Sequence, residues 1–291
     1  MLARDLRYFV MLSRTRHFTR AAEELGITQP ALSKGIRRLE ETIRAKLVVS
    51  SNRRSVELTE AGQVFASRAR IILGDIDAAV AEATMQSGQA RGNLRVGAGP
   101  IFADEYLPTA IADLVERFPD LSFSVIADLN TKLLDRLQEG DLDLVFCTTF
   151  EVPKLPQLCS EDLDINAMVI LFRKDHPLED RETLQPRDLT EYEWVMQESS
   201  YLTRKWLENK FATLDLPPPR IRVETAAHRF AQHLVERTDL LSFLPAPGVL
   251  PNLCQRFVPG LEWERRVGAV YRGDGVLPPA ARLLISAMKK L

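Results

Sequence analysis

The first sixty residues carry short helical periodicities separated by tight turns. Between positions 5 and 13, Leu6, Phe9, Val10 and Leu12 form one apolar stripe, as an amphipathic helix requires. A second, short helix is expected over 18–25, capped by Thr19 and stopped by Gly26. A third is expected from about 29 to 42, with Thr28 in the cap position and Pro30 in the first turn, where its missing N–H costs nothing. Leu32, Ile36, Leu39 and Ile43 recur at four, three and four residues on one face, leaving Gln29, Ser33, Lys34, Arg37 and Arg38 on the other. Two such helices joined by a Gly-containing turn, with Ala21 and Ala22 at the point of close approach, describe a helix-turn-helix. Beyond Lys46 the pattern becomes β-like at 47–50 and 55–58, around a basic hairpin that carries Arg53 and Arg54 and reads as a wing.

Residues 59–87 read as one long helix. Phe65, Ala69, Ile72, Ile76, Ala79 and Ala83 are spaced four, three, four, three and four, a heptad seam expected to pair with a second helix and make a dimer. The alternative from pattern alone is an amphipathic helix packed on its own domain. The small, polar, Gly-containing stretch at 88–93 reads as a hinge. From 94 to 291 strands and helices alternate: strands at 94–98, 121–126, 142–147, 167–172, 221–223, 240–244 and 267–271, and helices at 102–118, 132–139, 203–211, 227–236 and 279–291. That alternation predicts parallel βαβ units in two lobes, about 94–160 with 266–291 and about 161–265. The expected fold class is therefore multidomain: a winged helix-turn-helix over 1–58, a linker helix, and a two-lobed α/β body.

Charge sharpens this picture. The chain's net charge of −2 divides into +5 over residues 1–60 and −7 over the rest, a basic head on an acidic body. The polar face of the third helix suits the major groove, where Gln and Lys read base edges while Ser and Arg hold phosphates. Cys147, Cys159 and Cys254 are few and widely spaced, as expected of reduced cytosolic thiols. No signal-peptide core opens the sequence and no apolar run approaches a membrane span, so a cytoplasmic protein without membrane contact is expected.

The stretch FTRAAEELGITQPALSKGIRRLEETIRAKLV, followed by VELTEAGQ, resembles the N-terminal signature of the LysR-type transcriptional regulators, over about 60 residues. The body resembles the periplasmic-binding-protein-like effector domain of the same family. The resemblance implies DNA reading by Thr28, Gln29, Pro30, Ser33, Lys34 and Arg37, with Arg53 on the wing; Arg53 or Arg54 is expected to stand in for an arginine missing from Leu47-Val48-Val49-Ser50. It also implies dimers or tetramers on an inverted-repeat operator, a small-molecule effector, RNA polymerase as a further partner, and no cofactor. Gly35 stands where members carry a bulky polar residue, which implies the loss of one groove contact.

Ligands of open α/β sheets lie beyond the carboxyl ends of strands, where helix N-termini point. That rule selects Gly99, Pro100, Ile101, Phe102, Asn130, Thr131, Thr148 and Thr149 in the first lobe. In the second it selects Ser199, Ser200, Tyr201, Thr203, Thr225, His228 and Pro245. Many family members carry a hydroxyl where Gly99 and Pro100 stand. Polar loops with Phe102 and Tyr201 nearby suit a small organic acid or a sugar derivative. An enzyme is disfavoured: His17, His176, His228 and His233 show no metal-ligand spacing, and no Gly-rich phosphate loop or nucleophile elbow is present. A transport receptor would need export, and a DNA-packing protein would leave some two hundred residues of ligand-fold sequence unexplained.

Overall fold

The computed structural model describes residues 2–50, 56–85, 91–150, 152, 155–199, 201–246 and 248–290. Arg53, Arg54, Ser200 and the first half of the expected hinge, 88–90, lie outside them. The head is built from α1 (Leu2–Thr15), α2 (Phe18–Glu24) and α3 (Gln29–Ile43), followed by the antiparallel pair β1 (Val48–Ser50) and β2 (Val56–Leu58). Leu6, Phe9, Leu12, Leu32, Ile36 and Leu39 are buried together with Ala21 and Ala22, as their spacing requires. The cap of α2 is His17 rather than Thr19: the Arg20 N–H donates to His17 Nδ1 at 3.4 Å.

Two residues of α3 differ from the sequence expectation. Gly35 faces α1, where a Cβ would lie 2.6 Å from Tyr8 Cδ2. It marks a close helix crossing and not a missing groove contact. Arg38 also turns inward, its Nε donating to Asp5 Oδ2 at 2.7 Å. Asp5 is almost fully buried in α1, and a buried carboxylate is tolerable only when paired in this way.

The foot of the wing is tied to α3 by Glu40, which accepts from Lys46 Nζ at 2.6 Å and from the Leu47 N–H at 2.9 Å. Burial pushes the Glu40 carboxyl up, but Lys46 and the backbone N–H groups of Leu47 and Val48 bring it below its ordinary value. The long helix α4 (Glu60–Met85) starts against the same segment, with Thr59 Oγ1 donating to Lys46 O at 2.7 Å.

In the body, β3 (Gly92–Ala98), β4 (Leu121–Ala127) and β5 (Leu144–Thr148) are parallel, with β3 in the middle. A π-helical turn (Phe102–Tyr106) leads into α5 (Leu107–Arg117), and α6 (Asn130–Gln138) connects β4 to β5. The chain then forms one long strand, β6 (Leu158–Arg173), longer than the strand expected at 167–172. Its first half pairs with β11 (Glu264–Arg272) and its second with β9 (Ser242–Pro245) and β10 (Leu253–Arg256). The partner changes between Ala167 and Met168, so the chain passes between lobes inside β6. The second lobe adds β7 (Glu193–Met196), which the sequence reading missed, parallel to β8 (Arg220–Glu224).

Helices cover both faces of each lobe. In the first, α5 and α9 (Pro279–Met288) pack on one side and α6 on the other. In the second, α7 (Leu202–Thr213) and α8 (His228–Val235) do the same.

The first turn of α4 presses on backbone, and a Cβ at Gly62 would lie 2.0 Å from Leu47 O. Alanine is the better helix former by ~1 kcal/mol, but a carbonyl held by the wing cannot yield, and overpacking costs about 1–3 kcal/mol. Gly62→Ala is expected to lower the denaturant midpoint of the head. A raised midpoint would show that the contact is slack.

Candidate functional site

The reading surface begins at the N-terminus of α3. Thr28 caps the helix, its Oγ1 accepting from the Ala31 N–H at 3.4 Å. Gln29 and Pro30 occupy the exposed first turn; Lys34 and Arg37 are exposed one and two turns on, with Ser33 half-buried between them. Pro30, Ser33, Lys34, Arg37, Arg38 and Glu41 border a groove of about 510 Å³. Because the guanidinium of Arg38 is held by Asp5, the exposed cations of this face among the described residues are Lys34 and Arg37, with Gln29 beside them.

The seam expected on α4 divides in two. Ala69 is fully buried in the head's own core and Phe65 packs on Phe9 with ring centroids 5.6 Å apart. These two therefore serve the head, which corrects their assignment to the seam. Ile72, Ile76 and Val80 are 46%, 38% and 51% exposed, and Ala79 and Ala83 are also exposed. They leave an apolar stripe along the second half of α4.

In the first lobe the strand-end rule brings together Gly99, Asn130 and Thr148. The Gly99 N–H donates to Phe146 O at 2.8 Å, Asn130 Nδ2 donates to Thr148 Oγ1, and a Cβ at Gly99 would lie 3.5 Å from Asn130 Oδ1. Ile101 and Phe102 are not part of this group. Both are buried in the core, Phe102 against Tyr106 and Phe146, so they position the loop and offer nothing to a ligand. Thr149 is buried, its hydroxyl donating to Asp162. Pro100 is half-buried and Ser199 exposed. Pro245 is buried as the last residue of β9, paired with Met168, and is a sheet residue.

The second lobe contributes Thr203 and His228 from the first turns of α7 and α8. Thr203 Oγ1 accepts from Arg265 Nη1 at 3.4 Å. Burial, then the neighbouring positive charge of Arg265, pushes His228 down to about 4, so its ring is neutral at pH 7 and retains one N–H donor. The helices α6, α7 and α8 all begin at residues whose side chains make no cap hydrogen bond: Leu129, Tyr201 and Ala227. Their first-turn N–H groups keep donor capacity and positive dipole ends.

Several residues at this cleft escaped sequence reading. Glu105, in the π-helical turn, pairs with Arg229 of α8 and joins the lobes. Tyr106 lies with its hydroxyl 3.5 Å from Asn166 Oδ1, and Asn166 stands opposite Arg265 in the β6–β11 register. The missed signal is the full length of β6: its first half is polar, and without it Asn166 has no visible partner.

A separate cavity of about 1210 Å³ lies between the head, α4 and the first lobe, with Arg14, Arg70, Arg95 and Arg136 on its wall. Among the described residues no group of His, Cys, Asp and Glu is arranged to hold a metal ion, and no helix is long and apolar enough to cross a membrane.

Comparison with known proteins agrees with this anatomy. Residues 3–63 match the family described as bacterial regulatory helix-turn-helix protein, lysR family, and residues 87–291 match the LysR substrate binding domain. GalR of Pseudomonas putida is 27% identical over 99% of this chain and 74% of its own length. OxyR of Escherichia coli K12, a DNA-binding transcriptional dual regulator, is 31% identical over 70% of this chain and 66% of its own. Among solved structures, full-length OxyR from Pseudomonas aeruginosa superposes with a TM-score of 0.73 at 21% identity, covering 99% of this chain and 97% of that one. CbnR in complex with its target DNA superposes at 0.66 and 19% identity, covering 100% and 99%. The winged helix-turn-helix, the linker helix and the two-lobed body are thus the parts of one known design, and the chain belongs to the LysR family of DNA-binding transcriptional regulators, which are not enzymes and carry an effector-binding domain.

Proposed function

We propose that this regulator binds an inverted-repeat operator as a homodimer or a pair of dimers, and that a small organic anion held between the lobes controls its activity. The observation that carries the anion is the set of uncapped N-termini of α6, α7 and α8, which begin at the carboxyl ends of strands in both lobes. Arg265 and the N–H of His228 add donors of the same sign preference. A carboxylate or a sugar acid meets that donor set better than a neutral sugar does. Gly99, Asn130, Thr148, Ser199 and Thr203 supply the remaining polar contacts in this reading.

Some relatives are named as hydrogen peroxide-inducible activators, and that chemistry requires an accessible thiolate. Here burial, then a hydrogen bond to Glu179, pushes the Cys254 thiol up, and Cys147 is buried beneath α6. Both features count against these two cysteines as sensors; Cys159 on β6 is half-buried, so the reading of a bound molecule as the signal rests on the donor set between the lobes. The dimer reading rests on the exposed stripe of α4, since covering the part of an isoleucine still exposed there is worth roughly 1 kcal/mol. A paired α4 would set two reading helices a whole number of duplex turns apart.

A thermal-shift panel of carboxylates, sugar acids and neutral sugars against the full chain tests the ligand class. Stabilisation by anions alone is expected, and stabilisation by neutral sugars alone would refute it. A bound anion raises the pKa of His228 from about 4, so binding takes up a proton and affinity climbs as pH falls from 7 toward 5. Calorimetry in buffers of different ionisation enthalpy reads that proton, and His228→Asn is expected to abolish the pH dependence. Affinity that falls over the same range, with the ligand still ionised, would contradict the placement. For the seam, Ile72→Glu with Ile76→Glu is expected to give folded monomers by sedimentation and a loss of DNA affinity of tenfold or more; an unchanged oligomer would remove the stripe from the interface.

A further inference from the structure

The cleft and the linker helix touch opposite ends of one element, α6. Its first residue, Asn130, donates to Thr148 and stands beside Gly99 at the carboxyl ends of β3 and β5, where the proposed effector site lies. Nine residues later, about 13 Å along the axis at 1.5 Å per residue, the helix ends in a turn that is pressed against α4. Gly140 takes φ +76° there, and a Cβ on it would lie 2.9 Å from Ile71 Cγ1 and 3.2 Å from Arg70 Cβ. The Arg70 side chain is only 14% exposed; its Nε donates to Glu139 O at 2.8 Å and lies 3.1 Å from Asp141 Oδ1.

Two more arginines hold the same turn from the body. Arg95 Nη1 donates to Gly140 O at 2.7 Å, and Arg272 Nη1 donates to Leu137 O and Leu142 O at 2.9 and 2.8 Å. The turn is therefore rigid, and Leu133, Leu134 and Leu137 fix the helix behind it on the sheet. On the other side, the first half of α4 is rooted in the head through Gly62 and Ala69. A displacement at the cleft end of α6 has a stiff route to a helix that moves with the DNA-reading unit.

We infer that α6 is the element that relays cleft occupancy to the head, and that Arg70 is the positioning residue that couples it to α4. The inference rests on the reading that the effector sits between the lobes, but it does not depend on the effector's identity. Coupling between two sites is reciprocal, so DNA on the head must alter the cleft even when the cleft is empty.

The test is amide hydrogen exchange on the full chain, with and without a DNA duplex that the chain itself selects from a random pool. In the unaltered protein, duplex binding is expected to change exchange at Gly99, Asn130 and Thr148 by about fivefold or more, the lower end of common allosteric couplings. Arg70→Ala is expected to abolish that change while duplex affinity stays within a few fold, and Arg70→Lys to restore part of it. Asp141→Asn, which leaves α4 untouched, is the second variant should Arg70→Ala fold poorly, and it is expected to weaken the change. Glu82→Ala removes another ion pair between α4 and the body, with Arg282, and is expected to leave the change intact. Cleft exchange indifferent to DNA in the unaltered protein, or a DNA effect that survives both Arg70→Ala and Asp141→Asn, would overturn the inference. Failure of the anion panel would leave these outcomes unaffected, so the two readings fail separately.

Discussion

The left-handed turn at Gly140 is the constraint on which the arrangement of head and body rests. Only a residue without a Cβ lets the end of α6 lie flat on Arg70 and Ile71 of α4, and glycine alone takes that backbone conformation without strain. Further along α4 the links to the first lobe are exposed: the Val276 N–H donates to Asp75 Oδ1 at 3.3 Å, and Arg282 pairs with Glu82. Such pairs are worth about 0–1 kcal/mol and weaken with salt. The seat of α4 is therefore held by shape and by the largely buried guanidinium of Arg70, not by surface charge. The same turn carries Asp143 to the backbone N–H and guanidinium of Arg95, which fixes it to the central strand of the first lobe.

Local chemistry made the head legible in the sequence. A 3.6-residue apolar period, a threonine cap and a proline in the first turn each point to the same helix, and α3 follows them from Thr28 onward. What the sequence concealed were choices made by tertiary partners. Arg38 has the spacing of a groove residue, but Asp5 of α1 captures it. The family resemblance makes Gly35 a lost contact, and no period in the sequence shows that Tyr8 stands above it. Phe65 and Ala69 fit a heptad seam and the head's core equally well, since both need apolar residues at the same spacing, and the core holds them.

The candidate cleft was legible at the level of loops but not of individual side chains. Strand ends selected Asn130, Thr148, Thr203 and His228, which the fold places at the end of β5 and in the first turns of α6, α7 and α8. The same rule also selected Ile101 and Phe102, whose burial depends on Phe146 and Tyr106 from elements distant in sequence. Asn166 and Arg265 stayed hidden for a related reason. They meet only through the long β6–β11 pairing, and the polar stretch that opens β6 lacks the apolar alternation by which a half-buried strand is recognised. The π-helical turn that aims Glu105 at Arg229 inserts one extra residue into an otherwise regular helical pattern, which periodicity does not register.

In the proposed account, three helix ends without side-chain caps, a half-buried histidine held neutral and the α6 turn seated on α4 would let an occupant between the lobes be sensed at a distance. The direct measurement is linkage: the affinity of the full chain for its selected duplex at increasing concentrations of the most stabilising anion, set beside the affinity for that anion with and without the duplex. The account predicts that both affinities change by the same factor, severalfold or more. An anion that binds between the lobes while duplex affinity stays constant at every concentration would contradict it.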